Sequence, residues 1–258
     1  MELEKFEEII KKVHNHTNLV CLHVKGEPLL HKQLEQILAI IEKYNLKTNI
    51  TTNGTLILEK LDILKKSKAV RQINFSIHSI NQNTNLTEQY LNNIFQSVEQ
   101  LPHIIISYRL WNKGNNFNIA KIIEEYYNIN NLNEKLIQNS FVKLKENIFI
   151  NTDSEFIWPN INATPIIEKG KCLALKEQIA ILVDGTVVPC CLDNNGDIPL
   201  GNIFSETLEE ILNNSKSLSI KNNFDKGIIT CKLCRTCGFL QRLENKRKNN
   251  GGNVNGTN

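Results

Sequence analysis

The feature that most constrains the fold is the regular alternation of two kinds of segment along residues 1–151. Short apolar runs rich in β-branched side chains predict buried strands, and the longer segments between them repeat apolar residues at helical spacing. The predicted strands are 18–24, 47–53, 71–78, 103–111 and one within 137–151, and the predicted helices are 3–14, 31–45, 55–66, 86–101 and 118–128. Alternating strands and helices form βαβ units, so the sequence predicts an α/β domain with a parallel sheet or barrel.

The pattern changes after the FIWP segment, where short β runs replace the alternation. Residues 179–191 contain two such runs around Asp184-Gly185, which predicts a hairpin with a type I′ turn. A helix is predicted at 206–214, with Ser205 as its N-cap. These elements predict a second, smaller α+β module.

Three regions follow from this change of pattern. Residues 1–160 are predicted to form the α/β domain and residues 161–243 the smaller module. Residues 244–258 are predicted to be a disordered tail, because the end of the chain is polar and rich in Gly and Asn.

Charge and hydropathy exclude several kinds of partner. The net charge of +3 at pH 7 is small for this length and gives no reason to expect binding to nucleic acid or to an anionic membrane. The N-terminal sequence MELEKFEEIIKKVHNH lacks the apolar core of a signal peptide, and no apolar run is long enough to span a bilayer. We therefore expect a cytoplasmic protein, in which cysteines are metal ligands more often than disulfides.

The cysteines are distributed unevenly. Cys21 is alone in the first half, where we interpret it as a small buried hydrophobic residue. The other six follow residue 170: Cys172, Cys190, Cys191, Cys231, Cys234 and Cys237.

The segment CKLCRTC contains two overlapping pairs with C-x₂-C spacing, which lets two thiolates reach one metal site from a turn. Cys172 and Cys190 are placed to supply a second pair, since they lie at the start and end of a hairpin. Cys191 follows Cys190 directly on a strand and therefore points to the opposite face. Such a ligand set suits a structural zinc site and an iron–sulfur cluster equally well.

Six motifs occur in a familiar order. Together they resemble those of radical S-adenosylmethionine (radical SAM) enzymes that carry a C-terminal auxiliary iron–sulfur module of the SPASM or twitch type. The motifs are VKGEPLLH (24–31), ITTNGTLI (50–57), FSIHS (75–79), YRLWN (108–112), FIWP (156–159) and C-x₁₂-G-x₄-CCLD…LGNIF…LCRTCGF (172–239).

The resemblance implies the fold and the metal. It implies a partial (β/α)₆ radical SAM-type barrel missing its first strand, followed by a small α+β SPASM or twitch module. It favours a [4Fe–4S] cluster over zinc, with Cys172, Cys190, Cys234 and Cys237 as ligands. Cys231 is the alternative fourth ligand.

The resemblance also implies a site for S-adenosylmethionine at the strand ends. Gly26 lets the backbone approach the cofactor closely, and the Glu27 carboxylate accepts from its α-ammonium group. Ser76 lies near the ribose, and Arg109 binds the carboxylate in a bidentate manner.

One part of the family pattern is missing from this sequence. The family binds its catalytic cluster through C-x₃-C-x₂-C, whereas Cys21 is the only cysteine before Cys172. Three explanations are open: Met1 is an internal methionine of a longer enzyme, the chain is a degenerate relative without catalysis, or a partner supplies the missing strand or cluster.

The function implied is that of an oxidoreductase or of an enzyme that modifies a peptide or a small molecule. It would act through hydrogen abstraction by a 5′-deoxyadenosyl radical and would need an external electron donor. The auxiliary cluster would accept an electron from the substrate radical or orient the substrate. The alternative is a non-catalytic fragment, or a metal-binding module with a structural or interaction role.

Overall fold

The computed structural model describes residues 1–79, 85–111 and 117–249. The chain divides into two compact units, Glu2–Glu155 and Phe156 onward. The first unit therefore ends five residues before the boundary predicted at residue 160. None of the helices in the described part of the chain is both long and apolar enough to cross a membrane.

The first unit alternates strands and helices as the sequence pattern predicts. Amphipathic spacing sets the helices, and β-branched runs set the strands. Its elements are α1 (Leu3–Val13), β1 (Leu19–Cys21), α2 (Leu34–Lys43), β2 (Lys47–Thr52), α3 (Ile57–Lys66), β3 (Val70–Phe75), α4 (Asn85–Glu99), β4 (Ile105–Leu110), α5 (Phe117–Tyr127), α6 (Leu132–Gln138), β5 (Phe141–Lys145) and β6 (Ile148–Thr152).

The six strands form one mostly parallel sheet in the order β1-β2-β3-β4-β6-β5. Five strands run parallel, and β5 pairs antiparallel with β6 at the edge. This architecture confirms the prediction of an α/β domain of the partial (β/α)₆ type. The sequence analysis missed helix α6 and did not separate β5 from β6.

The two faces of this sheet differ in polarity. One face carries the core, whose buried side chains include Ile50, Ile73, Phe75, Ile106, Tyr108, Leu110 and Ile150. The alternate residues of the same strands point the other way. Apart from Ile105 and Phe149 these are polar, and we name them the polar face: Lys47, Asn49, Thr51, Gln72, Asn74, Ser107, Arg109 and Asn151.

The second unit contains a three-stranded antiparallel sheet and three helices within the described residues. These are β7 (Ala180–Ile181), β8 (Thr186–Val188), β9 (Gly201–Asn202), α7 (Leu208–Asn213), α8 (Ser215–Asp225) and α9 (Gly238–Asn249). The predicted hairpin is present, since β7 pairs with β8. β9 and α8 were not predicted.

Two local predictions for this unit were wrong. The hairpin turn is not of type I′, because only Gly185 has a positive φ, of 85°, whereas type I′ needs two such residues. The Asp184 carboxylate instead accepts from the Thr186 N–H at 3.0 Å. Helix α7 is capped by Thr207 rather than by Ser205, through a capping box in which Glu210 accepts from the Thr207 N–H.

The predicted disordered tail begins too early. Helix α9 continues through Asn249, so residues 244–249 are helical rather than disordered. Glu244 and Arg247 hold this last part of the helix to the backbone of Lys171. The rest of the predicted tail, residues 250–258, lies outside the described residues.

Candidate functional site

Four cysteines of the second unit line one cavity of about 140 Å³. They are Cys172, Cys190, Cys234 and Cys237, the same four that the sequence analysis selected. Cys191 and Cys231 are not among the residues that line this cavity. The structure therefore brings together two thiols from the ends of the hairpin segment and two from the CKLCRTC turn.

The CKLCRTC turn is held in place by hydrogen bonds from its own backbone. A 3₁₀ turn at Cys234–Thr236 lets the Cys237 N–H donate to the Cys234 carbonyl at 3.2 Å. The Cys237 sulfur in turn accepts from the Leu240 N–H at 3.4 Å. Gly238 is required here, because a Cβ at this position would lie 2.6 Å from the backbone nitrogen of Ile157.

Burial makes the free thiolates of this cavity unfavourable. It raises the pKa of Cys172 and of Cys237, and it raises the pKa of Cys190 to about 12. Because burial destabilises the anion, four thiolates can coexist in this space only when a positively charged metal centre compensates them. The donor set is thus suited to a bound metal centre.

The two metal centres that such a donor set could hold differ in how their ligands are placed. In the described part of the chain, no three Cys, His, Asp or Glu side chains converge closely enough to hold one metal ion. A structural zinc site needs four donors at about 2.3 Å from one point. A cluster needs thiols spread around a cavity instead, because each thiolate binds a different iron.

Cys231 forms a pair with Cys234. A hydrogen bond from the Cys234 thiol lowers the pKa of Cys231. The neighbouring Cys191 has a pKa raised by burial. Both residues are close in sequence to cysteines that line the cavity, but they do not line it themselves.

The second group of predicted residues lies at the carboxyl ends of the parallel strands in the first unit. Here the Glu27 carboxylate accepts three hydrogen bonds from the protein itself. The donors are the Leu29 N–H at 3.1 Å, the Thr52 hydroxyl at 2.6 Å and the Asn53 N–H at 2.8 Å. Burial, together with the nearby negative charge of Glu27, raises the pKa of Tyr90. Glu27 therefore joins the loop after β1 to the end of β2.

Gly26 and Ser76 lie at the same end of the sheet. Gly26 has a φ of 101°, and a Cβ there would meet no atom within 4 Å. The glycine is therefore required by its left-handed backbone rather than by a close contact. Ser76 follows β3, and its N–H donates to the Thr52 carbonyl at 2.8 Å.

Arg109, at the end of β4, is a largely buried cation. Burial lowers its pKa to about 10. Among the described residues its guanidinium makes no hydrogen bond or ion pair, and it lies over the Trp111 ring at 5.1 Å from the centroid. A buried guanidinium without a carboxylate partner is suited to bind an anionic group of a ligand.

Three residues that the sequence analysis did not select surround Arg109. The buried Nδ1 of His23 has no hydrogen-bond partner among the described residues, and burial together with Arg109 lowers the pKa of His23. His78 stacks on Trp111 at 5.9 Å, and its Nδ1 lies 2.9 Å from the Arg109 carbonyl. Asn151 accepts from the Trp111 indole N–H at 3.2 Å. The sequence signal that could have identified them is the polar residues that alternate with apolar ones in the strands.

Replacing Arg109 with methionine is expected to raise the melting temperature by about 2 to 8 °C, because it removes an uncompensated buried charge. Loss of the stacking on Trp111 offsets about 0.5–2 kcal/mol of this gain. Arg71→Met, at an exposed position of β3, is the control and should leave the melting temperature unchanged. Calorimetric melting curves measure both. A lower melting temperature for the Arg109 variant would mean that the guanidinium is already compensated.

These two sites define a class of protein: an α/β protein with a mostly parallel sheet and a separate, cysteine-lined metal module. Residues 1–104 match the radical SAM superfamily, and residues 172–238 match SPASM, an iron–sulfur cluster-binding domain. The first unit is therefore similar to proteins of the radical SAM superfamily, and the second unit is similar to SPASM domains. Iron–sulfur clusters and S-adenosylmethionine are the cofactors of these domains. Comparison with curated proteins gives no match.

Several solved structures share the fold. BtrN in complex with AdoMet and 2-DOIA is 17% identical with a TM-score of 0.58, and the match covers 92% of this chain and 80% of BtrN. SuiB from Streptococcus suis, bound to the precursor peptide SuiA, is 16% identical with a TM-score of 0.55, covering 94% of this chain and 64% of SuiB. Native anSMEcpe with bound AdoMet is 16% identical with a TM-score of 0.50, covering 92% and 80%. At these identities the likeness is one of fold.

Proposed function

We propose that this protein is a radical SAM/SPASM enzyme, an oxidoreductase or a modifying enzyme that acts through hydrogen abstraction by a 5′-deoxyadenosyl radical. The observation that supports the proposal most directly is the cavity lined by four cysteines in the SPASM unit. Its ligands are proposed to be Cys172, Cys190, Cys234 and Cys237. When bound there, a [4Fe–4S] cluster supplies one-electron redox chemistry.

The chain's own residues would contribute three things to this centre. The four thiols give up their protons to bind the metal, since the thiolate is the ligand. The buried, partly apolar wall of the cavity excludes water, with Leu233 and Leu240 among its buried residues. The hydrogen bond from the Leu240 N–H to the Cys237 sulfur stabilises negative charge on that ligand.

At the strand ends, Gly26, Glu27, Ser76 and Arg109 are proposed to bind S-adenosylmethionine. Arg109 is the best supported of the four, because it has a buried positive charge without an ion-pair partner among the described residues. Glu27 has a structural role first, and its remaining lone pairs are available to the α-ammonium group. The sequence does not supply C-x₃-C-x₂-C, so its residues do not fit the catalytic cluster, and no step through that cluster is assigned to them.

The substrate is proposed to be a small molecule or a peptide, and reduction requires an external electron donor. The structures named above support this range, since one contains 2-DOIA and another the peptide SuiA. A cytoplasmic location is proposed as well, since cysteines that serve as metal ligands are typical of a reducing compartment.

A second candidate is a non-catalytic iron–sulfur module with a structural or interaction role. The missing C-x₃-C-x₂-C motif favours it, because radical formation in the family depends on that motif. Both candidates contain an iron–sulfur cluster in the SPASM unit, but only the enzyme binds S-adenosylmethionine.

Metal analysis of protein purified under strict exclusion of oxygen tests what both candidates share. We expect about four irons per chain, acid-labile sulfide and no stoichiometric zinc. Calorimetry with S-adenosylmethionine then separates the candidates: weak binding that depends on Arg109 would support the enzyme, and no binding would support the non-catalytic module. Stoichiometric zinc without iron would contradict both.

A further inference from the structure

We infer that the second half of α9 holds Cys172 in position for the metal, with Glu244 and Arg247 as the positioning residues. Both residues lie on α9, beyond residues 172–238 that match SPASM. Neither lines the cavity. The inference rests on the proposed function, because it concerns how the proposed cluster is retained.

The two side chains bind both backbone polar groups of Lys171, the residue before Cys172. The Glu244 carboxylate accepts from the Lys171 N–H at 2.9 Å, and the Arg247 guanidinium donates to the Lys171 carbonyl at 2.8 Å. Arg247 also forms an ion pair with Glu244, and both side chains are mostly buried. The Lys171 carbonyl belongs to the same planar peptide group as the nitrogen of Cys172. The contact with Arg247 therefore orients the backbone from which the Cys172 side chain extends.

One side of α9 connects these contacts with the cavity. Leu240 and Leu243 line the cavity, and Glu244 and Arg247 lie farther along the same helix. Residues three or four positions apart lie on the same side of a helix, and all four residues follow this spacing. The side of α9 that packs against the cavity thus also binds the backbone before Cys172.

Helix α9 begins directly after another proposed ligand, Cys237. Gly238 is its first residue, and the Gln241 N–H donates to the Cys237 carbonyl at 3.2 Å. At a rise of about 1.5 Å per residue, Glu244 lies roughly 10 Å along the helix from Cys237. A single helix therefore joins two proposed ligands, Cys172 and Cys237, that are far apart in the sequence.

The chain before Lys171 permits the close approach of α9. A Cβ at Gly170 would lie 2.9 Å from the Glu244 side chain, so the glycine leaves room for the carboxylate. The Gly170 N–H also donates to the Gly227 carbonyl at 2.9 Å, in the loop after α8. Contacts with two different elements thus fix the segment that leads to Cys172.

Cys172 depends on such contacts more than a ligand within regular structure does. It lies in a segment that is neither helix nor strand, whereas Cys234 lies in a 3₁₀ turn. Residues that orient a metal ligand affect metal affinity by about 10- to 100-fold. Glu244 and Arg247 act through the residue next to the ligand, so we expect an effect at the lower end of this range.

Chelator challenge of the iron-loaded full chain tests the positioning role. We expect Glu244→Ala and Arg247→Ala to lose iron about tenfold faster than the unmodified protein. Both variants should also change the electron paramagnetic resonance spectrum of the reduced cluster, because the geometry of one ligand changes. Alanine has the highest helix propensity, so neither substitution disfavours α9 itself.

Three further variants separate the contacts with Lys171 from general effects on the helix. Glu244→Gln keeps an acceptor oxygen without the charge and should restore both iron retention and the spectrum. Asn245→Ala and Lys248→Ala, at exposed positions of α9, are the controls and should behave as the unmodified protein does. Melting curves identify an alanine variant that fails to fold, in which case the other alanine variant decides.

Several results would overturn the positioning role while leaving the proposed function intact. One is unchanged iron loss in the folded alanine variants. Another is faster iron loss with an unchanged spectrum, which would mean that α9 stabilises the unit without orienting the ligand. A third is a Glu244→Gln variant that loses iron as fast as Glu244→Ala. Iron-free unmodified protein would instead contradict the proposed function itself.

Discussion

Cys190→Ala is expected to lower iron affinity by more than tenfold and to remove most of the visible absorbance of the anaerobic protein. Cys190 lines the cavity, and the loss of a first ligand affects a metal site at least as strongly as the loss of a supporting residue, which costs about 10- to 100-fold. Iron and sulfide analysis together with visible spectra measure the effect.

The chain provides a matched control for this substitution at the next residue. Cys191→Ala removes a thiol that is also partly buried but does not line the cavity. The iron content should therefore remain near that of the unmodified protein. A second pair gives the same test: Cys234→Ala should lose iron, whereas Cys231→Ala should keep it. If Cys231→Ala alone abolished the absorbance, the proposed ligand set would be wrong at that position.

Glu27→Ala is expected to lower the melting temperature by about 6 to 15 °C. The substitution leaves the donors on Leu29, Thr52 and Asn53 without their acceptor. Hydrogen bonds to a charged group contribute about 1.5–3 kcal/mol each, and they are not fully additive. We therefore expect a loss of about 3–5 kcal/mol in the free energy of unfolding, measured by chemical denaturation.

Two variants separate the hydrogen bonds of Glu27 from general effects of the substitution. Glu27→Gln keeps one acceptor oxygen and should lose about half as much stability. Glu35→Ala, at an exposed position of α2, should be close to neutral. A melting temperature unchanged in Glu27→Ala would show that the carboxylate does not hold the loop after β1 to β2, and a role in ligand binding alone would remain.

The fold of the first unit could be predicted well because its signals are local. The apolar runs around Ile50, Ile73 and Ile106 are strands, and the helices between them follow from amphipathic spacing. Helix α6 was missed because it has only seven residues, too few to show a period. The tail was predicted as disordered from its composition, because its contacts with Lys171 join residues more than seventy positions apart.

The candidate metal site could be predicted in part. The C-x₂-C spacing indicated metal ligation, because two thiolates separated by two residues can reach one site from a turn. Spacing left Cys231 and Cys237 as alternatives, and only the family resemblance favoured Cys237. In the structure Cys237 lines the cavity and Cys231 does not.

The sequence by itself determined the order of strands and helices, the change of pattern near residue 156 and the number of thiols available to a metal. These depend on periodicity and spacing along the chain, which are local properties. The tertiary structure decided which thiols share a cavity, that Glu27 bonds to β2, and that the described residues provide no anion for Arg109. Such facts depend on side chains that meet only after the chain has folded, so no local pattern encodes them.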